Sequence, residues 1–241
     1  MSNTILHYIY DPLCGWCYGA APLVAAARDI VTVRLHGGGM MAGPDRRRVT
    51  AQLRTLVAHH DQRIAQISGQ KFGERYTEGL LRDTSAVLDS EPPISAVLAA
   101  DQMASRGLDM LARLQVAHYV EGQRIADRAV LICVAAELGL EAPIFQKTLA
   151  QLEGEPAQRH IRESRALLKH VGSQSFPTFA LEVDGRISLI DLRAHFGHPR
   201  QWQAWLRTQA HTPAPSPAGS ELVCSAEACT GQASPGFTST S

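Results

Sequence analysis

Two cysteines two residues apart, Cys14-Gly15-Trp16-Cys17, stand just behind a strand-like run and just ahead of a helix-like one. No other feature restricts the fold of this chain as strongly. Thr4 to Tyr10 (TILHYIY) is rich in β-branched and aromatic residues and reads as a strand. Asp11-Pro12 ends it, Ala20 to Asp29 reads as helix, and Ile30 to His36 reads as a second strand that Gly37-Gly38-Gly39 terminates. Strand, helix and strand in so short a span form a βαβ unit, which implies parallel strands.

The stretch from about Gly43 to Lys169 reads as almost purely helical. Val49, Leu53, Leu56, Val57, Ile64 and Ile67 keep to one helical face. Pro92-Pro93 leads into a helix over Ile94 to Ser105, and Leu108, Leu111 and Leu114 mark the next. Asp127 is an N-cap for a helix carrying Leu131, Val134 and Leu138, with Gly139 as its stop. Pro143 opens another, with Ile144, Phe145, Leu149 and Leu152 as its apolar side, and a last helix with Ile161 and Leu168 ends at Gly172. Strands return at Thr178 to Val183 and Arg186 to Ile190, around the hairpin signal Asp184-Gly185. A closing helix, about Pro199 to Thr208, carries Trp202, Trp205 and Leu206.

The expected fold class is therefore α/β, with a βαβ unit, a large all-helical insertion and a ββα unit. Residues 1–42 and 172–208 form the α/β part, 43–171 the helical insertion, and 209–241 a tail. Seventeen of the last 31 residues are Pro, Gly, Ser or Thr and none is Lys or Arg, so the tail is expected to be disordered. The 241 residues are 45% hydrophobic, ample for a core.

Lys and Arg number 23 against 23 Asp and Glu, which leaves no basic footprint for nucleic acid or for a membrane surface. Apolar runs such as Val130 to Ala136 fall far short of the ~20 residues that span a bilayer. No Lys or Arg precedes the first apolar stretch, so no signal peptide is expected and the default location is cytoplasmic. There the five cysteines are not read as structural staples.

A C-x-x-C pair at a helix start has a specific chemical use. Unpaired N–H groups and the positive end of the helix dipole favour thiolate over thiol at Cys14. Cys17 lies one turn later, within reach of a reducible disulfide. Cys14, nearer the open end, attacks, and Cys17, more buried, resolves the mixed disulfide. Two other readings compete. A structural zinc site would need a second ligand pair, and only Cys224 and Cys229 in the tail offer one. Two unrelated buried thiols are the other.

The segment Asp11-Pro12-Leu13-Cys14-Gly15-Trp16-Cys17-Tyr18-Gly19 resembles the DsbA-like thioredoxin-fold family, and more narrowly its cytosolic FrnE-like branch. The order of elements over residues 1–208 is similar to that family's layout, a thioredoxin-like fold with a helical insertion. Ser175-Phe176-Pro177-Thr178-Phe179 falls where the family carries its cis-proline loop. Gly37 to Met41 and Ser90-Glu91-Pro92-Pro93 also resemble this branch. The resemblance implies a cis Pro177 packed on the active-site disulfide, with the backbone of Phe176 presented to an extended client. Gly15 and Trp16 replace the Pro-His of strongly oxidising members, which implies a less oxidising couple, with Trp16 an exposed contact.

The resulting expectation is a cytosolic thiol–disulfide oxidoreductase acting on protein thiols and disulfides, served by a cytosolic thiol reductant. It needs no cofactor beyond its own dithiol and no metal; glutathione is the candidate co-substrate. Two alternatives stay open: a glutathione-dependent isomerase or transferase of the kappa or 2-hydroxychromene-2-carboxylate isomerase type, and a non-catalytic peptide-binding module. The former characteristically carries a Ser near the place of Cys14. Cys224 and Cys229 are a candidate second redox pair. Asp11 reads as a turn former with a proton relay to Cys17 as the alternative, Cys133 as a buried core thiol, and His7 as a packed strand residue. His59-His60 reads as helix surface, and His195 and His198 carry little weight as metal ligands.

Overall fold

The computed structural model describes residues 4–211. β1 (Thr4–Tyr10) is followed by a short helix α1 (Gly15–Gly19), then α2 (Ala21–Ala27) and β2 (Thr32–Gly37). A small two-stranded sheet, β3 (Arg47–Arg48) with β4 (Val87–Leu88), brackets α3 (Ala51–Ser68). Next come α4 (Glu91–Ala104), α5 (Gly107–Tyr119), α6 (Arg128–Glu137), α7 (Ala142–Leu152) and α8 (Glu155–His170). β5 (Thr178–Val183), β6 (Arg186–Leu189) and α9 (Pro199–His211) complete the described residues.

The main sheet has the order β2-β1-β5-β6. β1 runs parallel to β2 and antiparallel to β5, and every one of its residues is buried, as expected of a central strand. The βαβ and ββα units read from the sequence thus share one sheet, and β1 joins them. The Asp184-Gly185 hairpin has φ of 49° and 81°, the double left-handed conformation of a type I′ turn. On one face of the sheet Tyr8 meets Phe179, and Phe179 meets Trp202 of α9, whose indole N–H donates to the carbonyl of Leu23 in α2. The opposite face carries His7, which bonds to His36 at 2.9 Å and to Glu182 at 2.8 Å.

The insertion is helical, but not purely so: β3 and β4 pair antiparallel across the span that was expected to hold helices alone. α4 is its hub, packing on α5, α6, α7 and α8. Buried apolar side chains run without a break from the sheet into these helices. Three expected core positions point outward: Leu56 and Ile67 on α3 and Ile144 on α7 are all exposed. Each apolar stripe is wider than the surface it packs on. Cys133 is also exposed, because α6 turns Leu131, Val134 and Ala135 inward and leaves its opposite side to solvent. Asp127 stands at the N-cap of α6 without bonding through its side chain.

Candidate active site

The site is assembled where β1 ends. Asp11 is fully buried, and its carboxylate gathers three segments. Oδ1 accepts from Leu13 N at 2.8 Å and from Ser90 Oγ at 3.0 Å, and Oδ2 accepts from Met40 N at 2.5 Å. Burial pushes its pKa up, and these hydrogen bonds oppose the shift. Asp11 is thus the turn former that the sequence suggests. It meets Cys17 through its backbone N–H, 3.5 Å from Sγ.

Cys14 is the N-cap of α1, with extended backbone, and its carbonyl accepts from Cys17 N at 2.9 Å and Tyr18 N at 3.1 Å. Both thiols are free and both are buried, Cys14 at 6% exposure and Cys17 at 0%. Burial, followed by a hydrogen bond and charge from Cys14, drives the Cys17 pKa well up. The backbone holding the pair is bent between α1 and α2. Pro22 has no N–H to offer the carbonyl of Tyr18, which instead accepts from Gln70 Nε2 at 3.0 Å.

The peptide bond between Phe176 and Pro177 is cis, as the resemblance implies. The Cys14 thiol donates to the carbonyl oxygen of Phe176 at 3.5 Å, so the two loops meet at the Cys14 sulfur. A third loop, Gly37 to Met41, backs Phe176. Arg165 of α8 donates to the carbonyls of Gly38 (2.8 Å) and Gly39 (2.5 Å), and His160 accepts from Gly37 N at 2.9 Å. Sequence reasoning named the loop and the Ser90 segment, whose hydroxyl accepts from Met41 N at 3.0 Å, but not Arg165 and His160, which come from the distant α8.

Beside Cys14 lies a groove of about 540 Å³ lined by Trp16, Arg63, Ile67, Phe176, Pro177 and Phe196. Trp16, expected as an exposed contact, is instead half-buried, because its ring is packed by neighbours while it lines the groove. Its ring meets Phe196 edge-on at 5.5 Å, and the Arg63 guanidinium sits 5.8 Å from its centroid. Gly15 lies under α3, where a Cβ would stand 3.0 Å from Asp61 Oδ1. Asp61 was also missed. Its signal was present: a carboxylate in the apolar stripe Leu53, Val57, Ile64.

His59 and His60 are exposed on α3, and His195 packs against Trp202 and Trp205. Among the described residues no cluster of His, Cys, Asp or Glu is arranged to hold a metal, and no helix is long and apolar enough to cross a membrane. Residues 209–211, expected to begin the tail, continue α9, while Cys224, Cys229 and the rest of the tail lie outside the described residues.

No protein-family model matches the chain, and no curated protein does. Solved structures do. The cytosolic disulfide reductase DsbM from Pseudomonas aeruginosa is 54% identical, with a TM-score of 0.81, over 85% of this chain and 98% of that one. The same reductase solved with GSH is 52% identical, with a TM-score of 0.80, over 86% and 100%. A 2-hydroxychromene-2-carboxylate isomerase, 13% identical with a TM-score of 0.57 over 86% of this chain and 100% of its own, shares the fold alone. With a thioredoxin fold, a helical insertion and 54% identity to a disulfide reductase over 85% of its length, the chain belongs to the DsbA-like thiol–disulfide oxidoreductases.

Proposed function

We propose that the protein is a cytosolic reductase of protein disulfides, that Cys14 and Cys17 are its redox couple, and that glutathione regenerates it. The observation that carries this is the placement of the pair. The Cys14 sulfur lies against the carbonyl of Phe176, a residue that lines the groove, and Cys17 is fully buried. Support for glutathione comes from the similar reductase solved with GSH.

The Cys14 thiolate attacks one sulfur of a client disulfide, forming a mixed disulfide and releasing a client thiolate. The Cys17 thiolate then attacks the Cys14 sulfur, which closes Cys14–Cys17 and frees the second client thiolate. A glutathione thiolate opens that disulfide at Cys14 and releases Cys17. A second attacks the bound glutathione sulfur, which frees Cys14 and yields glutathione disulfide. Trp16, Phe176 and Pro177 form the client surface, and Gly15 lets α3 approach the turn.

Single cysteine variants test the assignment. Cys14→Ser abolishes insulin reduction, whereas Cys17→Ser still attacks and accumulates mixed disulfides. Equal adduct yields from both variants would sink it. A parallel glutathione-conjugation assay shows no turnover on this reading; turnover there would favour the transferase class.

A further inference from the structure

Gly37, Gly38 and Gly39, at the end of β2 and in the turn after it, are all buried. A run of three glycines loses more backbone entropy on ordering than any other three residues, so it has to be held by its surroundings. Its neighbours account for the glycines. A Cβ on Gly37 would stand 2.9 Å from Ile94 of α4, and one on Gly38 would stand 2.2 Å from the Phe176 ring. One on Gly39, whose φ is 64°, would stand 2.9 Å from Ile161 of α8. The sheet, the helical insertion and the cis-proline loop therefore meet at these three residues.

The backbone of this loop is held group by group. Gly37 N–H donates to His160 Nε2 at 2.9 Å, Gly38 N–H to the Tyr10 carbonyl at 2.7 Å, and Met41 N–H to Ser90 Oγ at 3.0 Å. The peptide unit between Gly39 and Met40 is gripped at both ends by ionisable side chains. Its carbonyl accepts from Arg165 Nη2 at 2.5 Å, and its N–H donates to Asp11 Oδ2 at 2.5 Å. Arg165 Nε also donates to the Gly38 carbonyl at 2.8 Å, so one planar guanidinium takes two successive carbonyls. The Arg165 side chain is 47% exposed and its ion-pair partner Asp45 is 4.0 Å away, so it is no core prop. Its strong contacts are those two carbonyls, and the first of them belongs to the residue on which the Phe176 ring rests. The same ring lines the groove, and the Phe176 carbonyl accepts from the Cys14 thiol.

We propose that Arg165 is a positioning residue for protein clients: by fixing the Gly38 and Gly39 backbone it holds the Phe176 ring in the groove, and so sets the affinity for extended disulfide substrates. The inference rests on Cys14–Cys17 being the redox couple and on the groove being the client surface. An extended client packs on the ring, and a ring already confined loses less freedom on binding than one that must first be ordered. A small disulfide reaches the Cys14 sulfur without that packing, so it is indifferent to Arg165. Lys at the same place would be a point charge that cannot span both carbonyls in the plane of one fork.

The test uses the full chain, with insulin as the protein client and a bis(nitrobenzoate) disulfide, added to the prereduced protein, as the small one. Arg165→Met raises the KM for insulin about fivefold and leaves kcat, and the rate with the small disulfide, within about twofold. Hydrogen exchange at the Met40 amide speeds up about tenfold in the same variant. Arg165→Lys gives a smaller rise in the insulin KM in the same direction, and it decides the matter if Arg165→Met does not fold. In a Phe176→Ala background, Arg165→Met changes the insulin KM by less than about 1.5-fold, because the ring it positions is gone. An unchanged insulin KM in folded Arg165→Met overturns the proposal, and so does an equal loss on both substrates. A full effect in the Phe176→Ala background overturns it as well. Insulin reduction that survives Cys14→Ser overturns the redox couple instead, and the Met40 exchange rate then still reports whether Arg165 holds the loop.

Discussion

A Cβ placed on Gly38 lies 2.2 Å from two carbons of the Phe176 ring, so the loop after β2 and the loop before β5 touch where only a hydrogen fits. The contact is with the far end of a side chain, which can swing. Gly38→Ala therefore leaves the fold intact and displaces the Phe176 ring from the groove. The expected outcome is a KM for reduced-state turnover on insulin raised about threefold to tenfold, with turnover of a small disulfide little changed. Steady-state assays on both substrates check it, and an unchanged KM on insulin would show that the ring does not meet the client.

Trp16 forms the groove floor through Phe196 and the Arg63 guanidinium. Trp16→Ala removes an aromatic pair and a cation–π contact two residues from Cys14. Client binding is expected to weaken by about 1–2 kcal/mol, with the rate of Cys14 alkylation by a small reagent preserved. Titration of a Cys14→Ser background with a client peptide measures the first, and alkylation kinetics the second. A large change in alkylation would mean that Trp16 shapes the thiol itself.

Asp11 predicts a stability effect rather than a kinetic one. Asp11→Ala leaves Leu13 N–H, Met40 N–H and the Ser90 hydroxyl without their acceptor in a buried place. The expected destabilisation is about 3–5 kcal/mol, read as a lower urea midpoint at constant slope. A loss under about 1 kcal/mol would mean that water replaces the carboxylate.

The Asp61 pKa carries its own signature in stability. It is raised from 3.8 to about 7 by burial, so the native state binds the proton more tightly than the unfolded chain. The contribution is complete below about pH 4 and is lost as pH rises through about 7, a loss bounded at about 4 kcal/mol. Asp61→Asn has no charge to bury. It should match the wild type near pH 4 and be more stable at pH 8.5, as urea unfolding at the two values would show. An equal difference at both values would contradict the shift.

Local chemistry determined much of this protein. β1 follows from a run of β-branched and aromatic residues, and the β5–β6 turn from Asp184-Gly185, whose φ values only such a pair accepts readily. Gly139 and Gly172 follow α6 and α8 with φ of 75° and 77°. Cys14 and Cys17 stand out because their spacing suits one helical turn, and Pro177 because of the residues around it. These signals act within a few residues of the chain. Tertiary packing decided the rest. The α3 stripe does not say that Leu56 and Ile67 turn to solvent while Asp61 turns in, since that depends on how α3 sits on α1. Neither does the sequence around Cys133 reveal that α6 leaves it uncovered. Arg165 on the Gly38 and Gly39 carbonyls, and Asp61 over Gly15, join residues far apart in the chain. Periodicity names a face of a helix, but only the neighbouring element selects which residues on that face it covers, and that selection placed Asp61 against Gly15.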